Sequence, residues 1–462
     1  MSLRLSSLDA AFLELEDSHE AAHMHIGAVL VFEAHTDAPP PLARLRAEIE
    51  GRLDALPRYR SQLTATHVGP LRRPAWEPDP DFAIADHVRR AALPAPGGEE
   101  DLMDWCGEYW SSRLDRSRPL WEVVLLEGLE GGRWALATKT HHALADGVAS
   151  VGATQLLLDA SRPGSRQPTT HSPDDGDGDA RAGLADRLGD LLRTGADLIS
   201  HPGRLLGEAK SAAELIVREE FAPAPATSLN VAIGPHRRYT VARARLSDLK
   251  AIKNALDGTV NDVVLAAASG GLRRLLEERG GDLPERGLRA MVPVNLRNGG
   301  NGAGQLGNQV SSLFVHLPVC EPDPVRRYLV TAGETAELKA GGEARTGADL
   351  LALAGLAPPL LHSVLARSST GRRLFNLTVT NVPGPRKPLY AFGARLEEVL
   401  PLVPLAADHA VGIAVVSYRG HVFFGLSGDV RAVPDLDVLR DGIQESIREL
   451  RIAAKHATEP VR

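Results

Sequence analysis

Two adjacent histidines, followed by an aspartate and a glycine, are the residues of this chain best suited to chemistry. They lie in the segment His141-His142-Ala143-Leu144-Ala145-Asp146-Gly147. A neutral imidazole, whose ordinary pKa is about 6.5, can accept the proton of an attacking hydroxyl and return it to a leaving group. Asp146 is near enough after a tight turn to brace the loop or orient an imidazole, and Gly147 permits the turn. The first hypothesis is therefore general-base catalysis by a histidine.

The sequence around the histidines predicts that a strand ends there and a helix begins. Apolar, β-branched runs at 119–129 and 133–142 flank Glu130-Gly131-Gly132, a pattern typical of a hairpin. Beyond the motif, apolar residues recur at helical spacing, and Asp146 can cap that helix. Because side chains alternate along a strand, only one of the two histidines can face a cleft.

Two other interpretations of the same residues stay open at this point. His141, His142 and Asp146 could form a hydrogen-bonded polar cluster beside a helix cap, which is the commoner outcome for an arbitrary pair of histidines. A metal site is less favoured, because adjacent strand residues point apart and no cysteine or second histidine cluster lies nearby to complete the coordination. We expect no metal.

The length of the chain predicts two domains, because 462 residues exceed the usual limit of one hydrophobic core. Residues 161–181 are polar and rich in Pro, Gly, Ser and Asp, as in a flexible linker. Apolar spacing at 184–217 predicts two amphipathic helices broken at Pro202. We therefore expect three parts: a domain at 1–160, a linker with crossover helices at 161–235, and a domain at 236–462.

The second half of the chain alternates between helical and strand-like segments. Residues 260–278 predict a buried helix opened by Asn261, and three apolar runs predict strands at 288–296, 310–319 and 409–418. Together with the hairpin of the first half, this alternation predicts a mixed α/β (α+β) fold.

Composition argues against several classes of protein. A net charge of −7 is unlike that of a general nucleic-acid binder. No apolar run reaches the roughly 18 residues that span a bilayer, and the acidic start is unlike a cleavable signal, so we expect a cytoplasmic protein. Cys106 and Cys320 are too few and too far apart for a disulfide framework, and we expect both to be reduced core residues.

Two further motifs do not support a function. Gly302, Gly304 and Gly307 satisfy GxGxxG, but strand-like sequence follows them, so no helix N-terminus is there to hold a pyrophosphate. The segment Gly425-Leu426-Ser427-Gly428-Asp429 lacks the final glycine of a nucleophile elbow. Without a serine nucleophile, we expect no covalent intermediate.

The segment HHALADG matches the HHxxxDG signature of the CoA-dependent acyltransferase superfamily, which includes chloramphenicol acetyltransferases, carnitine acyltransferases and peptide-synthetase condensation domains. Further segments add to the match: LSSLDAAFLELED with MHIGAVLVFE near the start, PLW at 119–121, TVNDVVLAA around 261–262, PVNLR at 293–297, LGNQVS from 306 and TNVPGP at 380–385. Together they resemble bacterial wax ester synthase/diacylglycerol acyltransferases over nearly the whole chain.

This resemblance implies two chloramphenicol-acetyltransferase-like domains with an active-site tunnel between them. It implies acyl-CoA as co-substrate, with no bound cofactor, and transfer to diacylglycerol or a long-chain alcohol to give triacylglycerol or wax ester; diacylglycerol is marginally preferred. Two alternatives stay open: a condensation-type acyltransferase that uses an amine or a carrier-protein substrate, and a catalytically silent lipid-binding relative.

The resemblance also implies residue roles. It makes His142 the proton acceptor, His141 a supporting residue, Asp146 structural and Gly147 a turn residue. Asn261 would donate to the oxyanion or, as an equal alternative, act only as a helix N-cap. Further substrate-binding positions implied by the matched motifs are Asp262, Trp121, Asn381, Pro383 and Gly384.

Apolar substrates imply peripheral contact with the inner membrane face or with lipid inclusions. The helices predicted in 184–217 carry basic residues among apolar ones, as in interfacial helices, but acidic residues as well. Docking of these helices on a membrane and packing on the protein itself therefore both stay open.

Overall fold

The computed structural model describes residues 3–5, 7–36, 38–65, 74–145, 158–159, 224–281, 283–295, 310–340 and 374–458. The predicted linker, the crossover helices up to 217 and the glycine-rich run at 302–307 lie outside these residues. Asp146 and Gly147 lie outside them as well.

The described helices are α1 (Ser7–Ser18), α2 (Leu42–Arg52), α3 (Ile84–His87), α4 (Glu99–Ser111), α5 (Leu246–Ala255), α6 (Val260–Glu278), α7 (Pro324–Ala340) and α8 (Leu436–Thr458). The described strands are β1 (Leu3–Arg4), β2 (His25–Phe32), β3 (Ser61–Leu63), β4 (Ala75–Pro78), β5 (Val88–Ala92), β6 (Trp121–Glu127), β7 (Trp134–His141), β8 (Arg237–Arg245), β9 (Leu288–Asn295), β10 (Val310–Leu317), β11 (Leu377–Pro383), β12 (Tyr390–Ala391), β13 (Ala394–Leu402), β14 (Val411–Tyr418) and β15 (His421–Asp429).

The strands of the described residues form two six-stranded sheets and one small sheet. The first sheet has the order β12-β13-β2-β7-β6-β5, and the second has the order β10-β9-β11-β14-β15-β8. Both sheets are mixed: β5 runs parallel to β6, and β11 runs parallel to β9 and to β14, whereas the other pairs are antiparallel. The predicted mixed α/β fold is therefore confirmed.

Several predicted elements occur where the sequence places them. The hairpin is formed by β6 and β7, which pair antiparallel across the turn at Glu130–Gly132. Helix α6 spans the predicted residues, and β9, β10 and β14 agree with the predicted strands to within two residues at each end. Cys106 is buried, but Cys320 is only half-buried, so the expectation of two core cysteines is wrong for the second.

The first sheet contains a strand from the far end of the chain. β13 pairs with β2 along its length, with Val399 opposite Leu30 and Leu400 opposite Val29. The described parts of 1–163 and 224–462 accordingly belong to one compact unit. Most of the predicted boundary region lies outside the described residues, so the division at 161–235 stays a prediction.

Each sheet carries its own apolar core. In the first core, Trp134 stacks on Phe32 with ring centroids 4.4 Å apart, and both side chains are fully buried. In the second, α6 contributes Leu265 and Leu272 against the apolar face of the second sheet. Burying each such side chain stabilises the fold by roughly 1.5–3 kcal/mol, so the two cores hold the strand ends in fixed positions.

Candidate active site

The two motif histidines occupy different environments at the end of β7. His141 is the last residue of β7, lies opposite His25 of β2 and is fully buried. His142 is the first residue of the following turn and is half-buried. As the alternation of side chains predicts, the two rings face different surroundings.

His141 is surrounded by protein groups, which accept its backbone N–H, donate to its Nδ1 and place a carboxylate near its Nε2. Its backbone N–H donates to the carbonyl of Leu120 over 2.9 Å. Its ring Nδ1 accepts the backbone N–H of Ala143 over 3.0 Å. Its Nε2 lies 3.4 Å from Oε2 of Glu16, a residue of α1. His141 is thus built into the interior and leaves the substrate-facing role to its neighbour.

His142 is held by its backbone and by one aromatic contact. Its N–H donates to the carbonyl of Met24 over 2.8 Å. Its ring stacks on Phe12 of α1, with centroids 4.0 Å apart and an interplanar angle of 23°. The stacking contact covers one face of the His142 ring and fixes its orientation. The ring nitrogens lie at the ring edge, outside this contact.

Glu16 is the centre of a buried charge network behind the histidines. Its Oε2 accepts from Arg116 Nη2 over 2.5 Å and from Arg116 Nε over 2.9 Å, and Arg113 Nη2 lies 3.2 Å away. Burial alone would raise the pKa of this carboxyl, but the contact with His141 and the charge of Arg116 outweigh burial and hold the pKa well below its ordinary value. Glu16 is therefore an ionised carboxylate at neutral pH.

The buried histidines around Glu16 are neutral. Burial lowers the pKa of His141, against the opposing effect of Glu16. Burial likewise lowers the pKa of His25 and, together with the charge of Arg237, brings the pKa of His23 to about 4. Because the arginines already balance the carboxylate, no charged histidine is needed in this network.

A second buried ion pair lies two residues before His141 on the same face of β7. Lys139 is fully buried, and its Nζ lies 2.9 Å from Oε1 of Glu122 on β6. The ammonium also donates to the carbonyl of Tyr109 over 2.7 Å and to the hydroxyl of Ser112 over 2.8 Å. These bonds fix the loop after α4, which supplies the two arginines to Glu16.

The start of α6 holds the predicted Asn261 and Asp262 in different roles. Thr259 is the N-cap of α6, so the interpretation of Asn261 as the N-cap is wrong. Asp262 is 3% exposed, and its Oδ2 accepts from the backbone N–H and the hydroxyl of Thr259, over 2.7 Å each, in a capping box. Its Oδ1 accepts from Thr335, so protein groups occupy the carboxylate that was predicted to contact substrate.

Asn261 meets another predicted site residue. Nδ2 of Asn381, in β11, donates to Oδ1 of Asn261 over 3.1 Å. Two motifs separated by more than a hundred residues are thereby brought together at one end of the second sheet. The bond orients the Asn261 amide and leaves its NH₂ group to donate elsewhere.

The other predicted substrate-binding residues have structural contacts. Trp121 is 3% exposed, donates from Nε1 to the carbonyl of Tyr59 over 2.7 Å and stacks on His87, so it is a core residue in this structure. Pro383 ends β11. Gly384 follows it in close contact with β14, where a Cβ would come within 2.1 Å of the Ser417 carbonyl oxygen.

The described residues contain neither a candidate metal site nor a helix that could span a membrane. No group of three or more His, Cys, Asp or Glu in that part of the chain could hold a metal ion. None of the helices given above is both long and apolar enough to cross a membrane.

Family models match both halves of the sequence. The wax ester synthase/diacylglycerol acyltransferase catalytic domain matches residues 5–264, and the C-terminal domain of the same family matches residues 306–451. The chain belongs to this family. Its activity is therefore that of an acyltransferase, and the resemblance read from the motifs is confirmed.

Named relatives cover nearly the whole chain. A probable diacylglycerol O-acyltransferase (tgs1) of Mycobacterium tuberculosis is 33% identical over 98% of this chain and 96% of the relative. A second one from the same species (tgs2) is 35% identical over 96% of this chain and 98% of the relative.

Solved structures agree with the fold. The wax ester synthase/diacylglycerol acyltransferase of Marinobacter aquaeolei VT8 is 28% identical, with a TM-score of 0.69 over 98% of this chain and 100% of that one. The starter condensation domain of rhizomide synthetase is 15% identical, with a TM-score of 0.61 over 100% of this chain and 96% of that one. At that identity the second likeness concerns the fold alone.

Motif reasoning missed the residues that support the histidines. Glu16 and Phe12 lie in an N-terminal segment that contributed to the family resemblance and to the argument against a cleavable signal, but not to the site, and Arg113 and Arg116 belong to no motif. A signal for Glu16 was present: its position continues the buried stripe of Ala10 and Leu13 along α1, where a solvated glutamate is not expected.

Proposed function

We propose that the protein transfers a fatty acyl group from acyl-CoA to the hydroxyl of diacylglycerol or a long-chain alcohol, with His142 as the proton acceptor. The two mycobacterial relatives named as diacylglycerol O-acyltransferases support diacylglycerol as the main acceptor. The observation that carries the role of His142 is the contrast within the motif: His141 is fully buried and bonded to protein groups, whereas His142 retains exposed surface.

The reaction proceeds by direct transfer. The acceptor oxygen attacks the thioester carbonyl carbon while its proton passes to a ring nitrogen of His142, giving a tetrahedral oxyanion and an imidazolium. The C–S bond then breaks, the carbonyl re-forms, and the imidazolium returns the proton to the departing thiolate. The products are an ester and free CoA, and His142 ends as it began.

Asn261 is the proposed donor to the oxyanion. Its amide oxygen accepts from Asn381, so its NH₂ group is the part left to donate. Asn261 also lies in the first turn of α6, where the helix dipole favours negative charge. A fixed donor of this kind stabilises the developing charge by several kcal/mol, or about 10²–10³ in rate.

The proposed acceptor is an apolar lipid, which partitions into membranes or lipid inclusions, so the protein has to meet a lipid surface to collect it. We therefore propose peripheral association with the inner membrane face or with lipid inclusions. Acyl-CoA acts as a co-substrate, and the proposed chemistry requires no bound cofactor.

The test is acceptor-dependent ester formation by the purified full chain. Palmitoyl-CoA is supplied with dioleoylglycerol or hexadecanol; released thiol is followed by absorbance, and triacylglycerol or wax ester is followed by chromatography. His142→Ala should lower the rate by about 10²–10⁴-fold, the usual contribution of a general base.

The matched control is His421→Ala, which removes an exposed histidine at the start of β15 and should keep the wild-type rate. Ester formation that persists in folded His142→Ala would refute the role of His142. If thiol release required an amine rather than either alcohol, the product would be an amide and not an ester.

A further inference from the structure

Helix α1 contacts both motif histidines through two residues on one face. Phe12 stacks on the ring of His142, and Glu16 lies against Nε2 of His141. Residues four apart in a helix lie one above the other, so the two contacts share one rigid support. A shift of α1 would therefore change the contacts of both histidines together.

The hydrogen bond between His141 and Ala143 determines which nitrogen of His141 carries the proton. Nδ1 can accept the Ala143 N–H, over 3.0 Å, only if Nδ1 itself carries no hydrogen. In the neutral ring the proton is then on Nε2, and Oε2 of the Glu16 carboxylate is 3.4 Å from that nitrogen. The carboxylate is an acceptor only, so it favours this tautomer over the other.

The same hydrogen bond shapes the turn that carries His142. Nδ1 of His141 accepts the Ala143 N–H, and the carbonyl of His141 accepts the N–H of Leu144 over 2.9 Å. His142 lies between these two bonds. If the other tautomer formed, Nδ1–H would face the Ala143 N–H, two donors would oppose each other, and the turn would open.

Glu16 is itself held firmly enough to impose this tautomer. Arg116 donates to it twice, and Arg113 lies 3.2 Å from the same oxygen. Arg116 also donates from Nη2 to the carbonyl of Leu13 in α1 over 3.1 Å, which limits the freedom of the guanidinium. Its other terminal nitrogen, Nη1, lies 2.6 Å from Oδ1 of Asp17, whereas Nε and Nη2 donate to Glu16 Oε2. Against the effect of burial, neighbouring groups that include Arg116 hold the pKa of Glu16 well below its ordinary value, so Glu16 is charged, whereas burial lowers the pKa of His141 and keeps its ring neutral.

We propose that Glu16 is a positioning residue for the acyl transfer: its carboxylate fixes the Nε2–H tautomer of His141, and that tautomer holds the turn that aims His142. This inference rests on the proposed function of His142. It assigns no substrate contact to Glu16, which acts only through His141.

The test compares Glu16→Gln with Asp17→Asn in the full chain. Glutamine keeps the shape of Glu16 but can present either an acceptor or a donor to His141, so the tautomer is no longer imposed. The kcat for ester formation should fall by about 10–100-fold, as for other groups that orient a reacting histidine, with the KM for both substrates within about twofold. Asp17→Asn removes a neighbouring charge from the same Arg116 without touching His141, and it should keep the wild-type kcat.

A spectroscopic readout separates positioning from general loss of structure. In ¹⁵N-histidine-labelled wild type, the resonances absent from the His141→Gln spectrum should show a neutral ring protonated at Nε2. In Glu16→Gln the same resonances should shift toward a mixture of tautomers. Glu16→Asp, which retains the charge on a shorter arm, should recover part of kcat and most of the wild-type tautomer.

The outcomes distinguish the two proposals. If His142→Ala is inactive while folded Glu16→Gln keeps the wild-type kcat, the positioning role is refuted and the role of His142 stands. If wild-type His141 is protonated at Nδ1 or is cationic, the positioning role is refuted even if every Glu16 variant fails to fold. If folded His142→Ala stays active, the proposed function itself fails.

Discussion

Strands β7 and β14 occupy equivalent interior places in the two large sheets but are built from different residues. β7 lies between β2 and β6, β14 lies between β11 and β15, and nearly every residue of both is buried. β7 buries Lys139 and His141, whereas β14 reads VGIAVVSY and carries no Lys, Arg, His, Asp or Glu. Buried ion pairs stabilise folds no better than apolar side chains of the same volume. The buried polar residues of β7 are therefore explained by the site that they support, whereas β14 shows that an interior strand of this fold can be built without such residues.

The largest expected effect on stability is at Lys139. Lys139→Met keeps the length of the side chain but removes the ammonium partner from Oε1 of the buried Glu122, whose Oε2 keeps its ion pair with the exposed Arg89. Removing one partner of a buried pair typically lowers the free energy of unfolding by about 3–5 kcal/mol, and the remaining Arg89 places the expected loss at about 3 kcal/mol. The change is measured by urea unfolding followed by circular dichroism.

Two further variants test the difference between β7 and β14. Ile413→Val in β14 should lower the free energy of unfolding by only about 1 kcal/mol, since one buried methyl group is lost. The double variant Lys139→Met/Glu122→Gln should regain part of the loss, because no buried charge is left unpaired. A Lys139→Met variant that costs no more than Ile413→Val would remove the distinction between the strands.

The next effect concerns pH and arises next to β7, at His23. Burial, with the charge of Arg237, lowers the pKa of His23 to about 4 in the folded protein. The unfolded chain therefore binds this proton first as the pH falls below about 6.5. The free energy of unfolding should decrease by about 1.4 kcal/mol per pH unit from this residue alone, down to about pH 4.

Urea unfolding at pH 7.5, 6 and 5 measures this slope. His23→Gln should reduce the slope by about 1.4 kcal/mol per pH unit, with the contributions of the other buried histidines left in place, and His421→Gln, a change at an exposed position, should not reduce it. An equal slope in wild type and His23→Gln would show that His23 does not couple folding to protons.

The smallest effect is expected at the cap of α6, on the side of β14. Thr259→Ala removes the hydroxyl that accepts from Asp262 N and donates to Asp262 Oδ2. Loss of such a cap should lower the free energy of unfolding by about 1 kcal/mol, and Thr259→Ser should restore it. The kcat per folded molecule should stay within about twofold, since Asp262 acts in the cap. A much larger loss of kcat at unchanged stability would show that Asp262 contacts substrate after all.

The sequence predicted local elements well because their signals are local. The β6–β7 hairpin follows from two apolar runs around a glycine turn, and α6 follows from one long apolar periodicity. The pairing of β13 with β2 was not predicted, since nothing in the alternation of either strand names a partner more than 350 residues away.

The candidate site was predictable in part for the same reason. A motif identifies His141 and His142, because the reaction fixes their spacing. Glu16 was missed because its partners, Arg113 and Arg116, are a hundred residues away along the chain. Asn261 and Asn381 were each singled out, but only the structure joins them by a hydrogen bond.

The insertion of β13 into the first sheet also bears on how the chain reaches its fold. During synthesis the ribosome releases β2, β7 and β6 early, yet the edge of β2 that receives β13 stays unpaired until Leu402 has emerged. An open edge of apolar strand invites pairing with other chains, and contacts of such long sequence separation form slowly. We therefore expect the nascent N-terminal half to need chaperones until β13, one of the last strands to be made, completes its sheet.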